Sequence, residues 1–154
     1  MARLQLANAR ALAQYQGREV VVTDWLEVTQ ERINKFAAAI SDFNWIHVDV
    51  ERAKRDAPFH APIAHGFLTM SLLSLLLESA VAFEQRGMGL NYGMNRVRFT
   101  SPVPSGSNIR GKFTLVKLED LGDGVQLTWN VTVELEGASK PCLVGEWLTR
   151  RYDK

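Results

Sequence analysis

The sequence predicts an α+β fold in which one antiparallel β-sheet wraps around a long central helix. Three observations predict it. The first half of the chain is patterned for helices and the second half, from about Asn91, for strands. Gly66 to Phe83 is apolar on nearly all faces of a helix and is expected to be buried nearly all round. Val125 to Leu135 alternates Leu127, Trp129, Val131, Val133 and Leu135, the period of a strand with one buried face.

The elements follow in order. Leu4 to Tyr15, rich in Ala and Leu, is expected to be a short helix ending near Gly17. Glu19 to Val28 is β-branched and reads as one strand. Thr29 offers an N-cap for a helix over Gln30 to Ile40, where Ile33, Phe36, Ala37 and Ile40 recur at helical spacing. Asp49 can cap a short helix, Val50 to Asp56, stopped by Pro58. The long apolar helix begins near His65 or Gly66. Strands are expected at Tyr92 to Phe99, Ile109 to Leu121, Val125 to Leu135 and Leu143 to Tyr152, with Leu121-Gly-Asp-Gly-Val125 as a hairpin turn. A sheet can cover a helix on several sides but not all. A second copy of the chain would seal the remaining side and the edge strand, so the expected architecture is a hot-dog fold in a homodimer.

Composition narrows the classes. At 154 residues, 46% hydrophobic and 23% charged, with 11 Gly and 5 Pro, the chain is read as a single globular domain, 1–154. Eighteen Lys and Arg against 17 Asp and Glu argue against nucleic acid as a partner. No signal peptide is recognised, and Thr69, Ser71, Ser74, Glu78 and Ser79 interrupt the one apolar stretch, so no membrane span is expected. Cys142, without a partner for a disulfide, reads as a small buried hydrophobe in a cytoplasmic protein.

The chemistry is concentrated in Ser41-Asp-Phe-Asn-Trp-Ile-His47. Asp42, Asn44 and His47 stand among Phe43, Trp45 and Ile46. A carboxylate and an imidazole meeting in an apolar pocket can hold a water, one accepting its proton and the other orienting it. Apolar neighbours make such a carboxylate more basic. The same residues also suit a loop in which Asp42 and Asn44 make Asx turns and His47 only packs. Further on, His65-Gly66 opens the long helix. A glycine there lets a ligand oxygen approach unpaired backbone N–H groups, although it could equally serve conformation alone.

Phe36 to Ser74 resembles the hydratase signature of the MaoC-like dehydratases, the (R)-specific enoyl-CoA hydratases. Asp42, Asn44, Ile46, His47, His65 and Gly66 fall in register with it. Asn-Trp-Ile-His-Val-Asp and Asn91-Tyr-Gly-Met-Asn-Arg-Val-Arg-Phe99 resemble the branch with nodulation-protein-N-like members. The resemblance implies a hot-dog homodimer that adds water to a trans-2-enoyl-CoA without a cofactor. It implies Asp42 as base, His47 as its partner on the water, and the Gly66 amide at the thioester oxygen. Asn44, Trp45, His65 and Ser74 would border the substrate. Ser74 could instead bond back to its own helix. Two positions depart from the pattern: Ser41 stands for a glycine and Trp45 for a proline. A required positive φ would make Ser41 a strained residue.

Other signals carry less. His47, His60 and His65 lie 13 and 5 residues apart, which suits no helical face, so no metal is expected. Gly87-x-Gly-x-x-x-Gly93 is not a dinucleotide fingerprint. Arg98, with Arg96, Arg110 and Lys112, could receive the CoA phosphates or simply form a solvated strand face. Trp25, Trp129 and Trp147 are expected in the core. Two competing functions remain: a hot-dog acyl-CoA thioesterase and a non-catalytic acyl-CoA binding subunit.

Overall fold

The computed structural model describes residues 3–85 and 87–153. Strand β1 (Leu4–Leu6) leads into a 3-10 turn, Ala9–Tyr15, then β2 (Arg18–Val22) and β3 (Leu26–Val28). Helices α1 (Gln30–Ile40), α2 (Trp45–Val48), α3 (Val50–Asp56) and α4 (Gly66–Ala80) follow. The chain closes with β4 (Val81–Phe83), β5 (Gly89–Phe99), β6 (Ser107–Asp120), β7 (Gly124–Leu135) and β8 (Leu143–Tyr152).

The main sheet runs β2-β6-β7-β8-β5, with β3 also on β6, and every pairing in it is antiparallel. Ile109, Phe113 and Leu115 of β6, the odd positions of β7 from Val125 to Val133, and Leu143 and Trp147 of β8 point inward. Leu68, Leu72, Leu73, Leu76 and Leu77 of α4 pack onto them as one core. This is the hot-dog arrangement: the strands form the wrap and α4 the filling. The hairpin turn lies where expected, with Gly122 at φ +87 and its N–H donating to Asp120 Oδ1 at 2.7 Å.

Several expectations are corrected. Leu4 to Tyr15 is not one helix. Leu4–Leu6 pairs in parallel with Val81–Phe83, and only the rest coils, because Asn8 caps at Ala11 N–H. The same pairing ends α4 at Ala80 rather than Phe83. Glu19 to Val28 is two strands on one neighbour, broken at residues 23–25, where Thr23 exchanges hydrogen bonds with Gly111. Trp25 sits in that break, 39% exposed, with the Arg110 guanidinium 4.5 Å from its ring, and is not core. Helix α4 is not enclosed within its own chain: Phe67 is 61% exposed and Leu75 is exposed too, because the sheet reaches only the opposite side. Trp129, Trp147 and Cys142 are buried as expected.

Ser41 ends α1 at φ 57, ψ 31, the left-handed region. A side chain there is strained by about 1 kcal/mol or more. Ser41→Gly is therefore expected to raise the melting temperature by about 2–4 °C for a domain of this size, measured by thermal unfolding. An unchanged or lower value would mean that glycine's extra unfolded-state freedom offsets the relief.

Candidate active site

The site is built where the 41–48 segment meets the start of α4. Asp42 follows the left-handed residue, so its carboxylate turns off the end of α1. Asp42 Oδ1 accepts from Asn44 N–H at 3.2 Å, and Asn44 Oδ1 accepts from Ile46 N–H at 3.4 Å. The Asx turns are thus present, and they shape the loop that carries the reacting groups. Asn44 acts locally as the cap of α2. Trp45, half-buried, lies under the Arg52 guanidinium at 4.3 Å.

Helix α2 turns His47 inward. Its Nδ1 stands 2.7 Å from the Ile63 carbonyl, which can only accept, so Nδ1 carries the proton and Nε2 keeps a lone pair. Gln30 of α1 donates to the His47 carbonyl at 2.7 Å. Burial, the largest influence, holds His47 below the ordinary histidine value; the Ile63 carbonyl and Asp42 pull upward, and His65 adds to the lowering. The neutral ring that accepts a hydrogen bond at Nε2 therefore persists to lower pH than in a free histidine.

His65 lies between these parts. Its side chain is 3% exposed, its ring stacks on His47 with centroids 3.7 Å apart, and its Nε2 donates to the Asp42 carbonyl at 3.1 Å. The Asp42 Oδ2 is 3.8 Å from the same nitrogen. Ligating atoms of Asp42, His47 and His65 lie within 4.8 Å of one another, the one such group among the described residues. Within the group the two imidazole planes differ by 25°, and the His65 Nε2 proton is already held by the Asp42 carbonyl. His60, exposed, is outside the group.

Helix α4 begins at Gly66 without a side-chain cap. Leu68 and Thr69 N–H groups reach the His65 carbonyl, and those of Gly66 and Phe67 have no described acceptor. A Cβ on Gly66 would come within 2.8 Å of the Phe99 ring, so only glycine lets β5 lie this close. Eight residues along α4, about 12 Å, Ser74 bonds the Asn91 side chain at 3.2 Å rather than its own helix. Ser71 and Ser79, by contrast, do bond back to helix carbonyls.

The site is open within one chain. Asp42 is 49% exposed, and a cavity of about 320 Å³ lies at the other end of α4 among Leu12, Leu77, Val81, Trp129 and Arg151. The apolar enclosure expected around the carboxylate is not supplied by its own chain. Of the basic residues, Arg110 and Lys112 each pair with Glu134 at 2.7 Å. Arg98 is exposed on β5 next to Phe99 and donates only to the Val97 carbonyl among the described contacts. Gln30 and Ile63 had no site signal in the sequence, and Asn91 and Phe99 stood out only as the ends of a family-like motif. Their roles depend on contacts between segments far apart in the chain.

A hot-dog sheet with a carboxylate and an imidazole grouped at the uncapped N-terminus of its central helix is what the fold and site amount to. The MaoC-like domain matches residues 12–136, and the chain belongs to that family. It is 47% identical over 140 residues to 3-hydroxyacyl-thioester dehydratase Z of Mycobacterium tuberculosis (strain ATCC 25618 / H37Rv), covering 90% of this chain and 92% of that one. It is 44% identical over 135 residues to nodulation protein N of Rhizobium leguminosarum bv. viciae, covering 86% and 84%. The unliganded R-hydratase PhaJ1 of Pseudomonas aeruginosa shares the fold, with TM-score 0.68 and 22% identity over 90% of this chain and 83% of that one. No helix among the described residues is long and apolar enough to cross a membrane.

Proposed function

We propose that the chain is an (R)-specific enoyl-CoA hydratase, equally a 3-hydroxyacyl-CoA dehydratase in reverse, acting on trans-2-enoyl-CoA as a homodimer without a cofactor. The observation that carries this reading is the grouping of Asp42, His47 and His65 immediately before the start of α4, where the Gly66 and Phe67 N–H groups have no described acceptor. A water held by Asp42 and His47 loses a proton to the pair as its oxygen bonds to C3. Negative charge moves to the thioester oxygen, where the Gly66 N–H and the helix dipole stabilise it. The proton held by the pair then passes to C2, so that one water is added and nothing else is consumed.

Asn44, Trp45 and Ser74 border this space in the same reading, with His65 buried behind the pair and so not a substrate contact, and Arg98 with Arg96 offers cations to the CoA phosphates. The exposed Phe67, Leu75, Tyr92 and Phe99, together with the free edge of β5, support the second copy that would close the site. The dehydratase named among the relatives supports the reaction type. A lone buried cysteine supports a reducing, cytoplasmic setting.

Crotonyl-CoA with a thiol reagent tests the reading. Loss of the conjugated absorbance without free CoA is expected. Thiol release would make the protein a thioesterase, and binding without either signal would make it an acyl-CoA binding subunit. The acid limb of kcat/KM is expected below pH 6.5, since protonation removes the His47 lone pair and His47 titrates low. A limb at or above that value would assign it to another group.

A further inference from the structure

His65 contacts both members of the acid–base pair, yet it is buried too deeply to meet a substrate. Its Nε2 holds the Asp42 carbonyl, its ring lies on His47, and its own backbone runs straight into Gly66. The Phe36 ring closes its other side at 5.2 Å, tilted by 59°. We propose that His65 is a positioning residue that sets the Asp42–His47 pair against the Gly66 amide. This rests on the hydratase reading of the same site.

The need is geometric. The acid–base pair belongs to the 41–48 segment and the amide to α4, and such groups must agree to within about 0.5 Å. Two bonds join the segments farther along: Ile63 N–H to the Ile46 carbonyl at 3.0 Å, and His47 Nδ1–H to the Ile63 carbonyl. They fix Ile46 and His47 and do not reach Asp42. On the other side Asp42 is tied to α1 by its N–H on the Ala37 carbonyl at 3.1 Å, across the strained Ser41. His65 is the described side chain that anchors Asp42 from the α4 side. The ring also keeps a buried Nδ1 with no hydrogen-bond partner among the described residues. Packing alone would not call for such an atom, since an apolar side chain would fill the space without it.

The test compares the whole protein with His65→Leu, which removes the donor and the ring, and His65→Gln, which keeps an N–H donor. In His65→Leu kcat for crotonyl-CoA is expected to fall about 10²-fold with KM within about threefold, and His65→Gln is expected to recover part of the loss. Hydrogen exchange supplies a readout independent of activity. The amides of Asp42, Asn44 and His47 should exchange at least about tenfold faster in His65→Leu, while core amides of β6 and β7 keep their rates. Unchanged exchange at 42–47 in the folded variant, a kcat within about threefold of the parent, or equal loss of protection throughout the core would each overturn the proposal. If His65→Leu does not fold, His65→Phe, which keeps a ring and removes the donor, decides by the same kcat-against-KM split. A parent protein that does not hydrate crotonyl-CoA overturns the hydratase reading instead, and the exchange result still stands on its own.

Discussion

In Asp42→Asn, kcat for hydration of crotonyl-CoA is expected to fall by about 10²–10⁴-fold in a protein that stays folded and still binds a saturated acyl-CoA. The structure makes the substitution a clean one. Asp42 Oδ1 accepts from the Asn44 N–H, a bond that an asparagine oxygen also accepts, and the backbone carbonyl held by His65 is untouched. What disappears is the basic oxygen. The two substates of the loop that the sequence allowed, an Asx turn or a reacting carboxylate, are both present in the fold, so the turn alone cannot decide the role. The variant can, because asparagine preserves one and abolishes the other. His47→Ala should be similarly inactive, and the double variant should lose far less than the product of the two losses. Near-parental hydration by Asp42→Asn would overturn the mechanism and assign the base to another acid–base residue.

Gly66→Val should depress turnover by about 10²–10³-fold, the usual effect of losing one oxyanion donor. A Cβ at this position already meets Phe99 Cδ2 at 2.8 Å, and valine adds two methyl groups to the same approach. Steric displacement of β5 and loss of the amide can be separated by adding Phe99→Ala. The double variant regains room for the side chain, so recovered stability without recovered turnover would assign the defect to the blocked amide. Near-normal turnover in a folded Gly66→Val protein would remove that amide from the reaction.

The parts of this molecule that were legible in the sequence are those with local causes. The alternation in β7 and the Gly-Asp-Gly turn each follow from neighbouring residues, and the structure has them where they were read. Thr29 likewise caps α1, accepting from Arg32 N–H at 3.2 Å. The loop chemistry at 42–47 was legible because polar residues among aromatics stand out. Three-residue strands are another matter: Leu4–Leu6 has no period of its own and exists because Val81–Phe83 lies alongside it. Trp25 was misplaced for a related reason. The strand pattern of Glu19 to Val28 continues through residues 23–25, and only the pairing with Gly111 breaks it there and turns the indole outward. The positive φ at Ser41 was anticipated only as a condition, since nothing in a serine announces it.

Cys142 has a practical consequence at the bench. Its sulfur is sealed between β7 and β8, donates to the Val133 carbonyl at 3.4 Å, and is pushed by burial to a pKa of about 11. Only a thiolate attacks a disulfide reagent, and at pH 8 about one in a thousand of these sulfurs would be ionised even if reagent could enter. With a single cysteine in the sequence, the folded protein is colourless toward such reagents. A yellow signal in the crotonyl-CoA experiment then reports liberated coenzyme, and a slow one appearing in step with unfolding reports Cys142, so the same cuvette doubles as a gauge of how intact the preparation is.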